Sequence, residues 1–268
     1  MRKEKLNRAE LARSLGVSRQ SLYYVAKKEK CDWQLKVKIE ETLRQHPSYG
    51  SRRLAIHLSL NRKGIQRVMR HFGIHPYRRR GRKYLVKKKI PVIYANLLFL
   101  TVPTYPNHVW TTDFTELKWK NKRVYVATVL DLYTRKVVGV AVTLRKGVPL
   151  TLQALCGALL HHPHPVIFHS DNGSEYKAKI FVATLESVGC AISRSHPGCP
   201  WENGYQESFY NQFKVDLGDP NRFNTLGELV AEIYRSIHYY NTERIHSALK
   251  MPPAQFEKTH LQTLRLGV

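Results

Sequence analysis

The chain has 268 residues, 43% of them hydrophobic and 24% charged, which excludes a wholly disordered protein and leaves room for one core plus one or two small modules. No apolar run approaches the roughly 20 residues that span a bilayer, and the basic N-terminal stretch has no apolar segment behind it, so neither a membrane span nor a signal peptide is expected. The net charge is +24, and it is lopsided: residues 1–100 hold 26 basic and 6 acidic residues, whereas residues 101–268 hold 18 and 14, so a polyanion is expected to be gripped mainly by the first third.

In chain order, residues 8–15 read as a short helix with apolar positions Leu11, Ala12 and Leu15. Gly16 supplies a turn, Val17 a buried plug, and Ser18 the N-cap of a second helix running to Val25. Helix, glycine turn and capped helix form a helix-turn-helix pattern over residues 1–30, with Arg19 and Gln20 where recognition helices meet base edges. Leu35, Ile39 and Leu43 then mark one stripe of a helix over 33–44. A helix carrying Leu54 and Leu58 follows, and Asn61 caps another with Ile65, Val68, Met69 and Phe72. Residues 31–76 are thus a second helical DNA-binding domain, presenting Arg52, Arg53, Arg62, Lys63, Arg67 and Arg70. The segment YRRRGRKYLVKKK (77–89) has eight basic residues in thirteen, and no core can be built from it. Within the linker 77–108 it is expected to be an arm whose Arg78, Arg79, Arg80, Arg82 and Lys83 bind phosphate, with Tyr77 and Tyr84 available for stacking.

Beyond the prolines at 91, 103 and 106 the periodicity changes. Residues 109–119, 124–130 and 136–144 read as three strands of an antiparallel meander. A helix over 149–160, a short strand over 166–168, a helix over 179–188, a strand over 191–193 and helices over 203–214 and 225–240 complete the order β-β-β-α-β-α-β-α-α. That order predicts a ribonuclease-H-like α/β core over 109–256, a mixed five-stranded sheet with helices, preceded by all-α helix-turn-helix modules and followed by a tail over 257–268. The cysteines (Cys31, Cys156, Cys190, Cys199) are scattered, so no disulfide framework or structural zinc is expected, and a reducing cytoplasm suits the chain.

Phosphoryl transfer on DNA needs little covalent help from protein; it needs divalent metals, about 3.5–4 Å apart, clamping the attacking and leaving oxygens. Carboxylates at element ends are the ligands to look for. Asp113 interrupts the first strand between Thr112 and Phe114, Asp171 follows the fourth strand in an Asp-Asn-Gly turn, and Glu207 lies in the helix after the fifth, with 35 residues between the last two. Asp131 reads as the first residue of a turn, the histidines at 161, 162 and 164 as a surface loop, and Glu202 as a helix-start acid.

The segments WTTDFT (110–115), HSDNGSEY (169–176) and ENGYQESF (202–209) resemble the three acidic motifs of transposases with a retroviral-integrase-type core. The resemblance is closest to bacterial insertion-sequence transposases whose catalytic protein comes from the second of two overlapping reading frames, and the gap of 35 matches their pattern. LGVSRQSLY (15–23), HPSYGSRR (46–53) and YNTERIHSAL (240–249) look like that family's opening helix-turn-helix, its Y-G-x-R-R signature and its Y-N-x-x-R-x-H ending. The resemblance implies Asp113, Asp171 and Glu207 as ligands of two Mg²⁺ or Mn²⁺ ions. It implies cleavage at the ends of a mobile element and 3′-hydroxyl strand transfer into target DNA. It also implies a homo-oligomer on DNA in the nucleoid, with an upstream-frame protein as a possible partner. Two departures stand out: Glu202 replaces the usual Asp, and the gap between Arg53 and Asn61 is short. The rival expectation is a catalytically silent DNA-binding regulator derived from a transposase.

Overall fold

The computed structural model describes residues 8–23, 27–77, 94–196 and 198–265. The basic arm, with Arg78, Arg79, Arg80, Arg82 and Lys83, lies outside the described residues.

The helical part begins with α1 (Arg8–Ser14). Gly16 turns the chain at φ 63°, and Ser18 Oγ accepts from Ser21 N–H at 3.3 Å, opening a 3₁₀ turn over Arg19–Tyr23. This corrects two expectations. The described part of the second helix is a 3₁₀ turn, and Val17 is no plug: it is 43% exposed, because Ala12 is the one residue of this module that the short α1 buries among those described. Next come α2 (Lys27–Gln45), α3 (Ser51–His57) and α4 (Arg62–His71). The Leu35–Ile39–Leu43 stripe of α2 meets Tyr49, Leu54, Ile65, Val68 and Met69 in a closed apolar cluster. Asn61 caps α4 by accepting from Lys63 N–H at 2.8 Å.

The rest is a five-stranded sheet covered on both faces. Its strands are β1 (Val109–Trp119), β2 (Lys122–Asp131), β3 (Val137–Thr143), then β4 (Ile167–Ser170) after α5 (Val148–His161). β5 (Ala191–Arg194) follows the one-turn α6 (Ser174–Lys177) and α7 (Lys179–Ser187). The spatial order is β3-β2-β1-β4-β5, with β1, β2 and β3 antiparallel and β1, β4 and β5 parallel. This is the ribonuclease-H-like core expected from the element order.

Alternation along β1 and β2 separates two cores. Val109, Leu117, Val124, Val126 and Leu130 face α8 (Gly204–Leu217) and α9 (Leu226–Thr242) through Phe209, Phe213, Leu229 and Ile233. Trp110, Tyr125, Ala127 and Val129 face α5 and α7 through Ala154, Leu155, Ala158 and Phe181. Gly139 of β3 makes the close approach of α5 possible, since a Cβ there would stand 2.3 Å from the Ala154 carbonyl oxygen. Thr225 and Glu228 close a capping box at the start of α9. The last helix, α10 (Pro253–Arg265), runs across residue 256 and is pinned to the β2–β3 turn by Lys136–Glu257 at 2.7 Å and Tyr133–His260 at 2.9 Å.

Candidate active site

β1 and β4 run parallel only as far as Thr111 opposite His169. Two residues further on stand Asp113, still within β1, and Asp171, the residue that follows the end of β4. The two carboxylates thus lie where the strands part, near enough for the Asp171 charge to act on Asp113. This is the carboxyl-end crevice of adjacent parallel strands, the usual place for a site in a mixed α/β sheet. Asp113 Oδ1 accepts from Phe114 N–H at 2.8 Å, and Asp171 Oδ1 accepts from Gly173 N–H at 2.9 Å. The second contact explains Gly173: a Cβ there would press to 2.9 Å from that same oxygen.

Glu207 occupies the first turn of α8, across from Asp113. The helix hangs from the sheet by polar side chains whose hydrogen bonds were not read from the sequence. Gln206 donates to Thr111 O at 2.7 Å and accepts from Thr128 Oγ1 at 3.1 Å. Asn203 accepts from Thr111 Oγ1 at 2.7 Å and donates to Thr112 O at 3.2 Å. Tyr210 donates to the carbonyl of Asp113 itself at 2.5 Å. Positions 203, 206 and 210 carry helical spacing; the legible signal was polar residues at i, i+3 and i+7 on a face that otherwise packs on a sheet.

The electrostatics are those of anions crowded together. Burial first, and then the charge of Asp171, push the Asp113 carboxyl up to about 7, with Glu207 adding to the effect and Lys214 opposing it. Burial also raises Asp171, with Glu175 contributing and the Gly173 N–H partly opposing. Lys214 lies seven residues beyond Glu207, on the same helix face, and was not singled out from the sequence. Among the described residues, no three or more His, Cys, Asp or Glu side chains stand as a ready-made metal cage. The donor set is nevertheless all carboxylate oxygen, half-buried and mutually repelling, and this suits Mg²⁺ or Mn²⁺ better than a softer metal.

The other acids and histidines have different work. Glu202 accepts from His196 N–H at 2.7 Å and Asn96 Nδ2 at 2.9 Å; burial opposes its ionisation, but these bonds win and hold it below the usual carboxylate range. Asp131 accepts from Thr134 Oγ1 at 2.6 Å and Asn107 N–H at 3.1 Å, closing a turn. His169 is fully buried between Ser193 Oγ at 2.8 Å and Ser195 Oγ at 2.9 Å, and burial drives it down to about 4.

The basic candidates divide. Arg19, Gln20, Arg52, Arg62, Lys63 and Arg67 are exposed, although Arg67 spends its guanidinium on both oxygens of Asp32 at 2.6 Å. Arg53 is a correction: it points inward, donating to Ile245 O at 2.7 Å, and burial together with Arg244 depresses it to about 10. The Y-G-x-R-R segment folds against the 239–246 segment, so its second arginine is a strut between helical domain and core. Arg244, 1% exposed, completes that joint with Asp216 at 2.6 Å and Gln212 at 2.5 Å, bracing the helix that carries Glu207.

Residues 103–200 match the Integrase core domain family, and residues 188–253 match a second family described in the same words. The transposase for insertion sequence element IS904 of Lactococcus lactis is 34% identical over 239 residues, 84% of this chain and 93% of that protein. The uncharacterized 31 kDa protein of insertion element IS600 from Shigella sonnei is 33% identical over 264 residues, 91% of this chain and 97% of that one. The putative transposase InsK of IS150 from Escherichia coli is 28% identical over 263 residues, 90% and 89% of the two chains. Among solved structures, the cryo-EM intasome of simian T-cell lymphotropic virus in complex with a PP2A regulatory subunit shares the fold, with a TM-score of 0.52 and 18% identity over 81% of this chain and 73% of that one. On these matches and this architecture, the chain belongs to the insertion-sequence transposases with an integrase-type catalytic core.

Proposed function

We propose that the crevice formed by Asp113, Asp171 and Glu207 is where this DNA transposase cuts the ends of its element and joins them to target DNA. The observation that carries the reading is the parting of β1 and β4, where the half-buried carboxylates of Asp113 and Asp171 act on each other beside a helix bearing a third. Carboxylates so arranged disfavour one another's charged form, and positive charge among them relieves this. Asp113, Asp171 and Glu207 would hold one or two divalent ions. A bound ion supplies Lewis acidity, lowering the pKa of a water and neutralising charge on the phosphodiester.

The chain's own residues do the rest. Gln206, Asn203 and Tyr210 fix α8 so that Glu207 keeps its distance from the strands. Lys214 offers positive charge on the same face, where a scissile phosphate approaches. Glu202, engaged by His196 and Asn96, holds the loop before α8 and leaves the third acidic role to Glu207. The exposed Arg19, Gln20, Arg52, Arg62 and Lys63, and the arm carrying Arg78, Arg79, Arg80, Arg82 and Lys83, grip the end DNA. The limits at residues 76 and 108 serve this division of labour, whereas α2 runs across residue 30 and α10 across residue 256. Joining two ends to one target in concert calls for a multimer on DNA, and an upstream-frame partner fits the same scheme. Among the described residues no helix is long and apolar enough to cross a membrane. Labelled end DNA incubated with the protein and Mg²⁺ tests the reading: 3′-end cleavage and joined products are expected, and the absence of both overturns it.

A further inference from the structure

On the side of α8 away from Glu207 lies a second cleft. Tyr205 and Glu207 are two residues apart, about 200° around the helix, so they face opposite ways. The cleft has a volume of about 540 Å³ and is walled by α8, the β2–β3 turn, the chain after α9 and Arg53 of the helical domain. Its floor is apolar, from Leu130, Phe209 and Tyr240, and the aromatic rings of Trp201 and Tyr205 stand at the rim, 70% and 44% exposed.

The charges on its walls are unbalanced. Arg53, Arg135 and Arg244 all line it, and the one carboxylate on the wall, Glu202, is already held by His196 and Asn96. Asp216 offsets Arg244, and Arg53 is tied to Ile245 O. Arg135 is different. Its guanidinium lies 4.2 Å from the centre of the Tyr205 ring, and its Nη1 is buried with no hydrogen-bond partner among the described residues. A buried donor on a charged group, left unmatched, is costly unless something outside the fold accepts from it. Burial and the neighbouring arginines also keep His246 neutral, lowering it to about 4.

We propose that this cleft is a nucleotide pocket, in which Arg135 receives a phosphate group while Tyr205 and Trp201 stack on the base. The volume suits one nucleotide among typical ligand clefts of roughly 300–1,000 Å³, and guanidinium plus aromatic is the usual pairing for unpaired bases. The proposal rests on the DNA role given above. The nucleotide comes from an unpaired position in a DNA strand or from the free pool.

The test uses the full chain in EDTA, so that no chemistry intervenes. Calorimetric titration with the dinucleotide pTpT, thymidine and inorganic phosphate is expected to show pTpT binding at least tenfold tighter than either fragment. Arg135→Gln and Tyr205→Ala should each weaken pTpT at least fivefold, Arg135→Lys should recover part of the loss, and Arg235→Gln, an exposed charge on α9, should change nothing. Inorganic phosphate binding as well as pTpT, or equal losses in Arg135→Gln and Arg235→Gln, overturns the pocket. So does a failure of Tyr205→Ala to weaken pTpT while it melts like the parent protein. A duplex with one unpaired 5′ nucleotide that binds better than its blunt form, by a margin lost in Arg135→Gln, identifies a DNA strand as the source. Equal binding of the two duplexes, with pTpT binding kept, identifies the free pool. Mg²⁺-dependent end cleavage by the same preparation is read in parallel. Normal cleavage without pTpT binding removes the pocket alone, and pTpT binding without cleavage removes only the proposed function.

Discussion

Asp113 carries its charge at a strand position that neighbouring Thr and Phe side chains would suit better, and its acidity records the mismatch. A carboxyl whose folded value, about 7, lies above its unfolded value holds its proton more tightly in the folded state. Stability from this group is therefore full below about pH 4 and falls as the pH rises toward 7. Thermal melting in EDTA should show the midpoint dropping across that window, and Asp113→Asn should raise it at pH 7.5 by about 2–4 °C, the equivalent of about 1 kcal/mol. Added Mg²⁺ should stabilise the parent and leave Asp113→Asn nearly unmoved. A lower midpoint for Asp113→Asn in EDTA would contradict the account of a strained, cation-seeking carboxylate. The two nearby glutamates are separated at this scale too. Glu207→Gln should abolish end cleavage with DNA binding intact. Glu202→Gln should instead lower stability through the loop it ties and leave residual cleavage measurable; the reverse pattern would exchange their roles.

At the scale of elements, α8 has to be held at a fixed height above β1. Its attachments are directed hydrogen bonds to strand carbonyls, and removing one leaves a buried acceptor unmatched, at about 1–3 kcal/mol. Gln206→Leu and Tyr210→Phe should therefore cut the cleavage rate by roughly 10–100-fold, the cost of misplacing a catalytic group, with end binding unchanged; unaltered rates would mean the helix is positioned by packing alone. The strands, α5 and α7 to α9 were legible because alternation and helical periodicity survive in the sequence; of the proposed acids, Asp113 stood out as charge amid apolar neighbours, Asp171 by its Asp-Asn-Gly turn, and Glu207 by its place in a helix 35 residues further on. Other features were not. Arg53 reads as one more base in a basic region, and its contacts with Ile245, 192 residues away, and Gln212 turn it inward. Val17 fills a helix-turn-helix pattern, yet it is left 43% exposed among the described residues. α10 crosses the boundary set at 256 because Tyr133 and Lys136, far upstream, supply its partners. Lys214 and Gln206 gain meaning only once α8 is set against β1.

For the whole molecule, the joint between helical domain and core is built around the buried Arg244–Asp216 pair, with Ser48 donating to Asp216 at 2.5 Å and His46 meeting Tyr239 at 2.6 Å. Removing one partner of a buried pair strands the other, at about 3–5 kcal/mol. Arg244→Met and Asp216→Leu should each lower the unfolding free energy measured by denaturant titration by that order, and the double variant should lose less than the two losses added together. Strict additivity would mean the pair is not coupled.

DNA affinity also belongs to this scale. The charge excess lies in the first third, so replacing Arg78, Arg79 and Arg80 with Ala should flatten the slope of log K against log salt by roughly 2–3, at about 0.9 per phosphate contact. Affinity should fall alike for matched and scrambled DNA. An unchanged slope would make that segment a solvated linker.

The central claim is that Asp113, Asp171 and Glu207 act as one metal-binding catalytic set. The most direct measurement is Mg²⁺-dependent cleavage and joining of end DNA by Asp113→Asn, Asp171→Asn and Glu207→Gln, with binding to the same DNA followed in EDTA. The account predicts that each variant loses both reactions and binds like the parent. Parent-level cleavage by any one of the three would contradict it.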